Sequence, residues 1–150
     1  YGRVYKLVSS SFKPKQYFLL ENRRRAGFDF NLPGEGLLVW RVDESGEQET
    51  PYQPGLYLVQ ADGRHNLEDP DDWNQGDAGD PFPGSTGRTE LKDTGPVSTS
   101  FPGARSGITL KSIKRDTATG IISVDVNFSV PGPSPAKSKR KSQSKRKAGR

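Results

Sequence analysis

The sequence predicts a mainly β domain, an antiparallel sheet or sandwich of about six short strands with a long acidic loop and a disordered basic C-terminal tail. Residues 122–130 alternate apolar and polar side chains over nine positions, which is the period of a strand with one buried face. No window repeats apolar residues at helical spacing, and 17 glycines and 12 prolines interrupt the chain. We therefore expect short strands rather than helices within residues 1–130, with almost no regular pattern over residues 62–101.

Six apolar runs are the candidate strands: residues 4–8, 17–20, 37–42, 56–60, 107–113 and 122–130. The first two flank a connection rich in Ser, Lys and Pro, and the last two flank a turn at residues 116–120. We expect each of these pairs to form a hairpin. Residues 37–42 are almost continuously apolar, which predicts a central strand covered on both faces.

The C-terminal end has a different composition. Residues 131–150 contain no large apolar side chain, so we predict a disordered tail after a folded domain of residues 1–130. Eight Lys and Arg residues lie in 137–150, and without them 15 cations face 18 acids, a net charge of −3. This tail predicts a solubilising arm with weak, salt-sensitive affinity for polyanions, and it lacks the aromatic residues that would stack on bases.

Composition also excludes several classes of protein. The chain has no cysteine and therefore no disulfide framework or thiolate metal site. No apolar run approaches the roughly 20 residues that span a bilayer. The sequence starts at Tyr1 without a signal-peptide pattern, so we expect a fragment whose N-terminal part, with any export signal, lies upstream.

The loop that follows the fourth predicted strand is unusually acidic. A hard cation would relieve the repulsion among its carboxylates, and Ca²⁺ fits because it binds six to eight oxygens in flexible geometry. Gly76 and Gly79 allow tight turns there. An EF-hand is excluded because Trp73 falls at a ligand position. The alternative is a solvated loop of Asx turns. The candidate calcium ligands are Asp62, Glu68, Asp69, Asp71, Asp72, Asp77 and Asp80.

Catalytic motifs do not appear in the chain. It has neither an H-E-x-x-H pair nor a G-x-S-x-G elbow nor a glycine-rich phosphate loop. His65 is the single histidine, and we interpret it as solvated or structural. Phe82, between two prolines, is predicted to anchor the loop on the body of the domain rather than to stack on a ligand. The chain alone therefore does not encode an enzyme.

A succession of blocks resembles one family. Residues 17–25, 27–29, 32–36, 37–44, 60–63 and 76–85 are similar to the blocks that follow the zinc motif in secreted zinc metallopeptidases of the immune inhibitor A type (peptidase family M-six). The resemblance covers most of residues 1–130, and the order of the blocks is more specific than any one block. Two features depart from it: the family usually has His where this chain has Arg41, and the basic tail is no part of its pattern.

The resemblance implies a parent protein that is a secreted zinc metalloendopeptidase acting on protein or peptide substrates. Its zinc ligands and general base would lie in a catalytic segment upstream of Tyr1, which would be the partner of this one. The present segment would close the peptidase domain, with Glu21, Asn22 and Asp43 lining the substrate cleft and the acidic loop as a calcium-linked structural element. The alternatives are an extracellular calcium-stabilised β binding module without a role in proteolysis, and an anion or nucleic-acid binder that acts through its tail.

Overall fold

A computed structural model describes residues 3–45, 55–69, 71 and 74–130. The strands are β1 (Val4–Leu7), β2 (Gln16–Arg23), β3 (Gly36–Asp43), β4 (Leu56–Leu58), β5 (Ile108–Arg115) and β6 (Ile122–Phe128). Strands β1 to β4 form one antiparallel sheet in sequence order, and β5 pairs with β6 in a second. Two single-turn 3-10 helices, Gly27–Asp29 and Asn66–Glu68, are the other regular elements of the described residues. The prediction of a mainly β fold with a hairpin at each end is confirmed.

The fourth strand is shorter than the sequence predicted. β4 ends at Leu58, whereas the apolar run continues to Gln60. Val59 still contacts β3, because its N–H donates to the Val39 carbonyl at 2.9 Å, whereas the Ala61 N–H donates to the Asp80 carbonyl at 2.9 Å. The end of the run therefore leaves β3 for the acidic loop.

The hydrophobic core lies between one face of the four-stranded sheet and the β5–β6 hairpin. Alternation along β2 and β3 points Phe18, Leu20 and Val39 into this layer, and β5 contributes Ile108 and Leu110. Each of these side chains is at most 3% exposed. The position of β3 between β2 and β4, predicted from its continuous apolar run, is confirmed.

A β-bulge adjusts the phase of β5. The register with β6 shifts between Lys111 and Lys114, and Ser112 takes a left-handed conformation with φ of 53°. One extra residue in a strand moves the following side chains to the other face. Ile113 is therefore buried although it lies three residues after Leu110.

The segment 62–101 contains no strand among its described residues, and backbone pairs hold it on the sheets. Leu37 and Phe82 exchange hydrogen bonds of 2.7 and 2.9 Å, and Leu91 and Leu110 exchange two of 2.9 Å. Phe82 is completely buried and Leu91 is 1% exposed. The loop thus supplies part of the core, and the predicted anchoring role of Phe82 is confirmed.

Two further sequence predictions concern the basic tail and membrane spans. The basic tail, residues 131–150, lies outside the described residues, and so do its predicted disorder and anion binding. Within the described ranges, the chain forms no helix with the length and apolar character needed to cross a membrane.

Truncating Phe82 tests whether the loop is part of the core. We expect Phe82→Ala to lower the free energy of unfolding by about 3–5 kcal/mol, because it leaves a cavity under the loop. The matched control is Phe28→Ala, since Phe28 is fully exposed and the change there should stay within about 0.5 kcal/mol. Urea denaturation measures both. Equal effects of the two substitutions would contradict the packing of the loop.

Candidate metal centre

Three of the predicted carboxylates meet in the folded chain. Oxygen atoms of Asp62, Asp77 and Asp80 lie within 4.8 Å of one another. Asp62 follows the extension of β4, while Asp77 and Asp80 belong to the turn that precedes Phe82. The hydrogen bond from the Ala61 N–H to the Asp80 carbonyl places the two segments side by side. The site therefore joins parts of the chain that are separated in sequence.

Glycine makes this close approach possible at two positions. A Cβ atom on Gly79 would lie 2.8 Å from Asp77 Oδ1 and 2.9 Å from Asp62 Oδ2. A Cβ atom on Gly34, in the turn before β3, would lie 2.7 Å from the Asp77 carbonyl oxygen. A side chain at Gly34 would displace the backbone at Asp77, and a side chain at Gly79 would force the Asp77 and Asp62 carboxylates to shift.

Each of the three carboxylates uses one oxygen to hold the backbone of the loop. Asp62 Oδ1 accepts from the Arg64 N–H at 3.0 Å, Asp77 Oδ1 accepts from the Gly79 N–H, and Asp80 Oδ2 accepts from the Asp77 N–H at 2.6 Å. The second oxygens of Asp62 and Asp80 are buried and have no hydrogen-bond partner among the described residues. An unpaired buried carboxylate oxygen is costly, so these two atoms need a cation or a proton.

Arg64 compensates this charge only in part. Its guanidinium lies 3.5 Å from Asp62 Oδ2 and 3.5 Å from Asp77 Oδ2, but its side chain is 69% exposed. Ion pairs in such exposed positions contribute little free energy. Asp80 is only 3% exposed and forms no ion pair with a described residue. Burial raises the pKa of Asp80, and the nearby charges of Asp77 and Asp62 raise it further.

The chemistry of the donors fits a hard cation. Ca²⁺ binds oxygen at about 2.3–2.6 Å, so ligands on opposite sides of one ion are separated by about 5 Å. The spacing of up to 4.8 Å among the three carboxylates is compatible with a common ion. The group contains neither His nor Cys, the ligands that zinc sites favour. Asp62, Asp77 and Asp80 would hold the ion, and backbone carbonyls or water would complete its shell.

The other predicted calcium ligands lie elsewhere. Both Glu68 oxygens accept from Gln60 Nε2, at 3.0 and 3.1 Å, and burial raises the pKa of Glu68. Asp69 Oδ1 accepts from the Asp71 N–H at 3.0 Å in an exposed turn, the Asx arrangement that the alternative interpretation expected. Asp72 is outside the described residues. Among the described candidates, the structure thus brings three carboxylates together and leaves Glu68, Asp69 and Asp71 outside the group.

The residues predicted to line a substrate cleft are not grouped in the described structure. Glu21 and Asn22 are neighbours on β2 and therefore point to opposite faces of the sheet. Asn22 Nδ2 donates to the Gly120 carbonyl at 3.0 Å. Asp43 accepts from Gln16 Nε2 at 2.6 Å at the other end of the β2–β3 ladder. Their role in a cleft stays a prediction.

A second polar cluster was not found from the sequence. The Arg41 guanidinium lies 4.2 Å from the centre of the Tyr57 ring, and burial lowers the pKa of Arg41. Burial raises the pKa of Tyr57 to about 12, and the charge of Glu68 adds to the shift. The Tyr57 hydroxyl is hydrogen-bonded to His65 Nδ1, which lies 3.7 Å from Glu68. The interpretation of His65 as solvated or structural stays a prediction, and only the pairing of Arg41 with Tyr57 reveals the cluster.

Comparisons with known proteins add no relative: no protein-family model, curated protein or solved structure matches this chain. The resemblance to immune inhibitor A-type peptidases therefore stays a prediction from the blocks of sequence that carry it.

The raised pKa values of Asp80 and Glu68 give a prediction for the metal-free protein. A pKa that is higher in the folded state than in the unfolded state favours folding when the group is protonated. Stability should therefore rise as the pH falls from 7 through the raised values, and this gain is complete below the ordinary values of 3.8 for Asp80 and 4.5 for Glu68. Chemical denaturation in chelator at several pH values measures the rise.

The matched variant is the double substitution Asp80→Asn with Glu68→Gln, which should abolish the rise. Asp43 opposes the effect at lower pH, because its pKa is lowered by hydrogen bonds from Gln16 and Ser45 although burial acts against them. Stability from Asp43 is lost as the pH falls through that lowered pKa. A wild-type profile that only declines from pH 7 downwards would contradict the assignment.

Proposed function

We propose that residues 3–130 form a non-catalytic β module that Ca²⁺ stabilises through Asp62, Asp77 and Asp80. One observation carries the proposal: Asp80 is almost completely buried, and one of its carboxylate oxygens has no hydrogen-bond partner beside two further carboxylates. A bound cation would neutralise all three groups. It would also connect the segment after β4 to the turn before Phe82.

The fold gives this connection a structural consequence. The turn that carries Asp77 and Asp80 continues directly into Phe82, which is paired with Leu37 of β3. A cation at the acidic group therefore stabilises both the loop and the part of the core that the loop supplies. We include secretion in the proposal on the resemblance, and a site in an extracellular module would bind Ca²⁺ with a Kd of about 0.1–1 mM.

Calcium should raise the melting temperature of the protein, and chelation should lower it. Mass action predicts a stabilisation of about 2.7 kcal/mol when the free ion exceeds its Kd a hundredfold. Asp80→Asn should abolish the response to calcium. This variant should be at least as stable as the wild type in chelator, because the side-chain amide oxygen can still accept from the Asp77 N–H while the buried charge is removed. Thermal unfolding with and without millimolar Ca²⁺ measures each quantity.

Two controls make the result specific. Asp71→Asn removes an exposed carboxylate outside the group and should keep the full calcium response. Arg64→Gln removes the competing guanidinium and should strengthen calcium binding. Equal calcium responses in Asp80→Asn, Asp71→Asn and the wild type would sink the assigned site.

A second proposal concerns the whole protein. Three blocks of the resemblance, residues 32–36, 60–63 and 76–85, contact one another around the acidic group through Gly34, Asp62 and Gly79. Their packing as one unit supports the view that their order in the sequence reflects a shared structure. We therefore also propose that the protein is a secreted zinc metalloendopeptidase. In it this segment is structural, Glu21, Asn22 and Asp43 line the cleft, and the zinc ligands belong to another segment.

The peptidase proposal predicts that the full-length protein contains an H-E-x-x-H helix before Tyr1. That protein should cleave an unfolded polypeptide in a zinc-dependent manner, and a zinc chelator should abolish cleavage until zinc is restored. The control exchanges the Glu of the motif for Gln and should be inactive although folded. Lack of cleavage by the folded, zinc-loaded protein would refute this proposal and leave the calcium module unaffected.

A further inference from the structure

A groove of about 380 Å³ lies between the β1 side of the four-stranded sheet and strand β6. Leu20, Leu37, Ile122 and Val124 supply its apolar part. Leu20 and Leu37 are at most 4% exposed, whereas Ile122 and Val124 are only partly buried although they pack against the core. The core is therefore accessible to solvent on this side of the molecule.

The groove lies beside two strand edges. β1 and β6 are the outermost strands of their sheets, and each pairs with one strand among the described residues. Alternate backbone N–H and C=O groups of an edge strand point away from its partner and can pair with a further strand. An extended peptide can use such an edge for its own backbone hydrogen bonds.

The polar part of the groove is cationic. Arg3 and Arg24 both line it, and neither forms an ion pair with a described carboxylate. Nearby arginines differ in this respect, since Arg23 lies 2.6 Å from Glu21 and Arg115 lies 2.7 Å from Glu35. The groove thus combines an apolar surface with two arginines that form no ion pair within the described part of the chain.

The Arg24 side chain rests against the turn between β5 and β6. A Cβ atom at Gly120 would lie 2.4 Å from Arg24 Nε and 3.0 Å from Arg24 Cζ, so the guanidinium occupies space that only glycine leaves free. The carbonyl of the same glycine accepts from Asn22 Nδ2, which also lines the groove. The Arg24 guanidinium therefore lies against Gly120, next to the hydrogen bond that Asn22 forms with the same residue.

We propose that this groove binds the carboxyl terminus of an extended peptide. Its carboxylate pairs with Arg3 and Arg24, because guanidinium groups form strong, directional hydrogen bonds with carboxylates. The last apolar side chain of the peptide packs on Ile122 and Val124, and its backbone pairs with the free edge of β1. A volume of about 380 Å³ is near the lower end for ligand sites and suits one or two terminal residues.

A fatty acid is the alternative ligand, because it also has a carboxylate and an apolar group, but it has no backbone that could pair with β1. A binding experiment with a peptide and a fatty acid therefore distinguishes the two ligands. The probe is a fluorescent hexapeptide that ends in Val-Leu with a free carboxylate, titrated at fixed Ca²⁺ concentration. We expect saturable binding that weakens at least tenfold when the peptide is amidated. Arg3→Gln and Arg24→Gln should each weaken binding about tenfold, because each removes a charged partner.

The matched control is Arg88→Gln, which removes the same charge from a different groove and should leave the affinity unchanged. Arg3 and Arg24 are exposed, so their variants should keep the melting temperature and the calcium response of the wild type. Equal binding of the amidated peptide, or unchanged affinity in both arginine variants, would overturn the proposal. So would decanoate binding as tightly as the peptide, or the absence of peptide binding to a folded, calcium-responsive protein.

Discussion

The backbone pairing of Leu37 with Phe82 is the contact on which the arrangement of the loop depends. The segment between β4 and β5 forms no strand in its described part, so it cannot gain stability from a ladder of its own. The two hydrogen bonds of this pair attach it to β3, and the Phe82 ring fills the core directly behind them. A Cβ atom at Gly36 would lie 2.6 Å from the Phe82 carbonyl oxygen, so the sheet must present a glycine for the loop to approach.

This attachment also explains why three carboxylates that repel one another lie side by side in the acidic group. Once Phe82 is fixed, the preceding turn must place Asp77 and Asp80 next to Asp62, because the Asp80 carbonyl accepts from the Ala61 N–H. Unpaired buried polar atoms cost about 1–3 kcal/mol each, and charged ones cost more. A single exposed arginine does not offset this, whereas a divalent cation within reach of all three carboxylates does. The packing of the loop on the core and the close approach of the three carboxylates are thus both consequences of the Leu37–Phe82 contact.

The sequence predicted those features that depend on local patterns. All six strands and both terminal hairpins follow from apolar runs and turn residues, and the burial of Phe82 follows from its rigid setting between prolines. Features that depend on the pairing of distant residues could not be predicted in this way. The bulge at Ser112 decides that Ile113 is buried, yet Ile113 in the sequence fits a regular strand only on the opposite face.

The composition of the acidic group also depends on contacts between distant residues and could not be predicted from local patterns. Charge density selected seven carboxylates, but only the contact between the β4 extension and the turn before Phe82 distinguishes Asp62, Asp77 and Asp80 from the others. The Arg41 cluster depends equally on register, because Arg41 faces Tyr57 only through the pairing of β3 with β4. Its guanidinium lies between the rings of Tyr57 and Phe101, at 4.2 and 5.8 Å, where it serves packing. The histidine expected at this position from the resemblance would lack the permanent charge that makes this stacking favourable.

The two sides of the sandwich therefore differ in the polar and charged groups that lack a partner among the described residues. At the acidic side, one oxygen of each carboxylate accepts a backbone hydrogen bond. The negative charge of the group is compensated only in part, and a small cation could neutralise it. At the β1–β6 side, each outer strand has one edge without a strand partner in the described residues, and Arg3 and Arg24 form no ion pair there. This side therefore suits a ligand that offers backbone partners, apolar surface and negative charge together. A small ion offers neither backbone partners nor apolar surface. A peptide terminus offers all three in one ligand, which is why we propose a metal at one side and a peptide at the other.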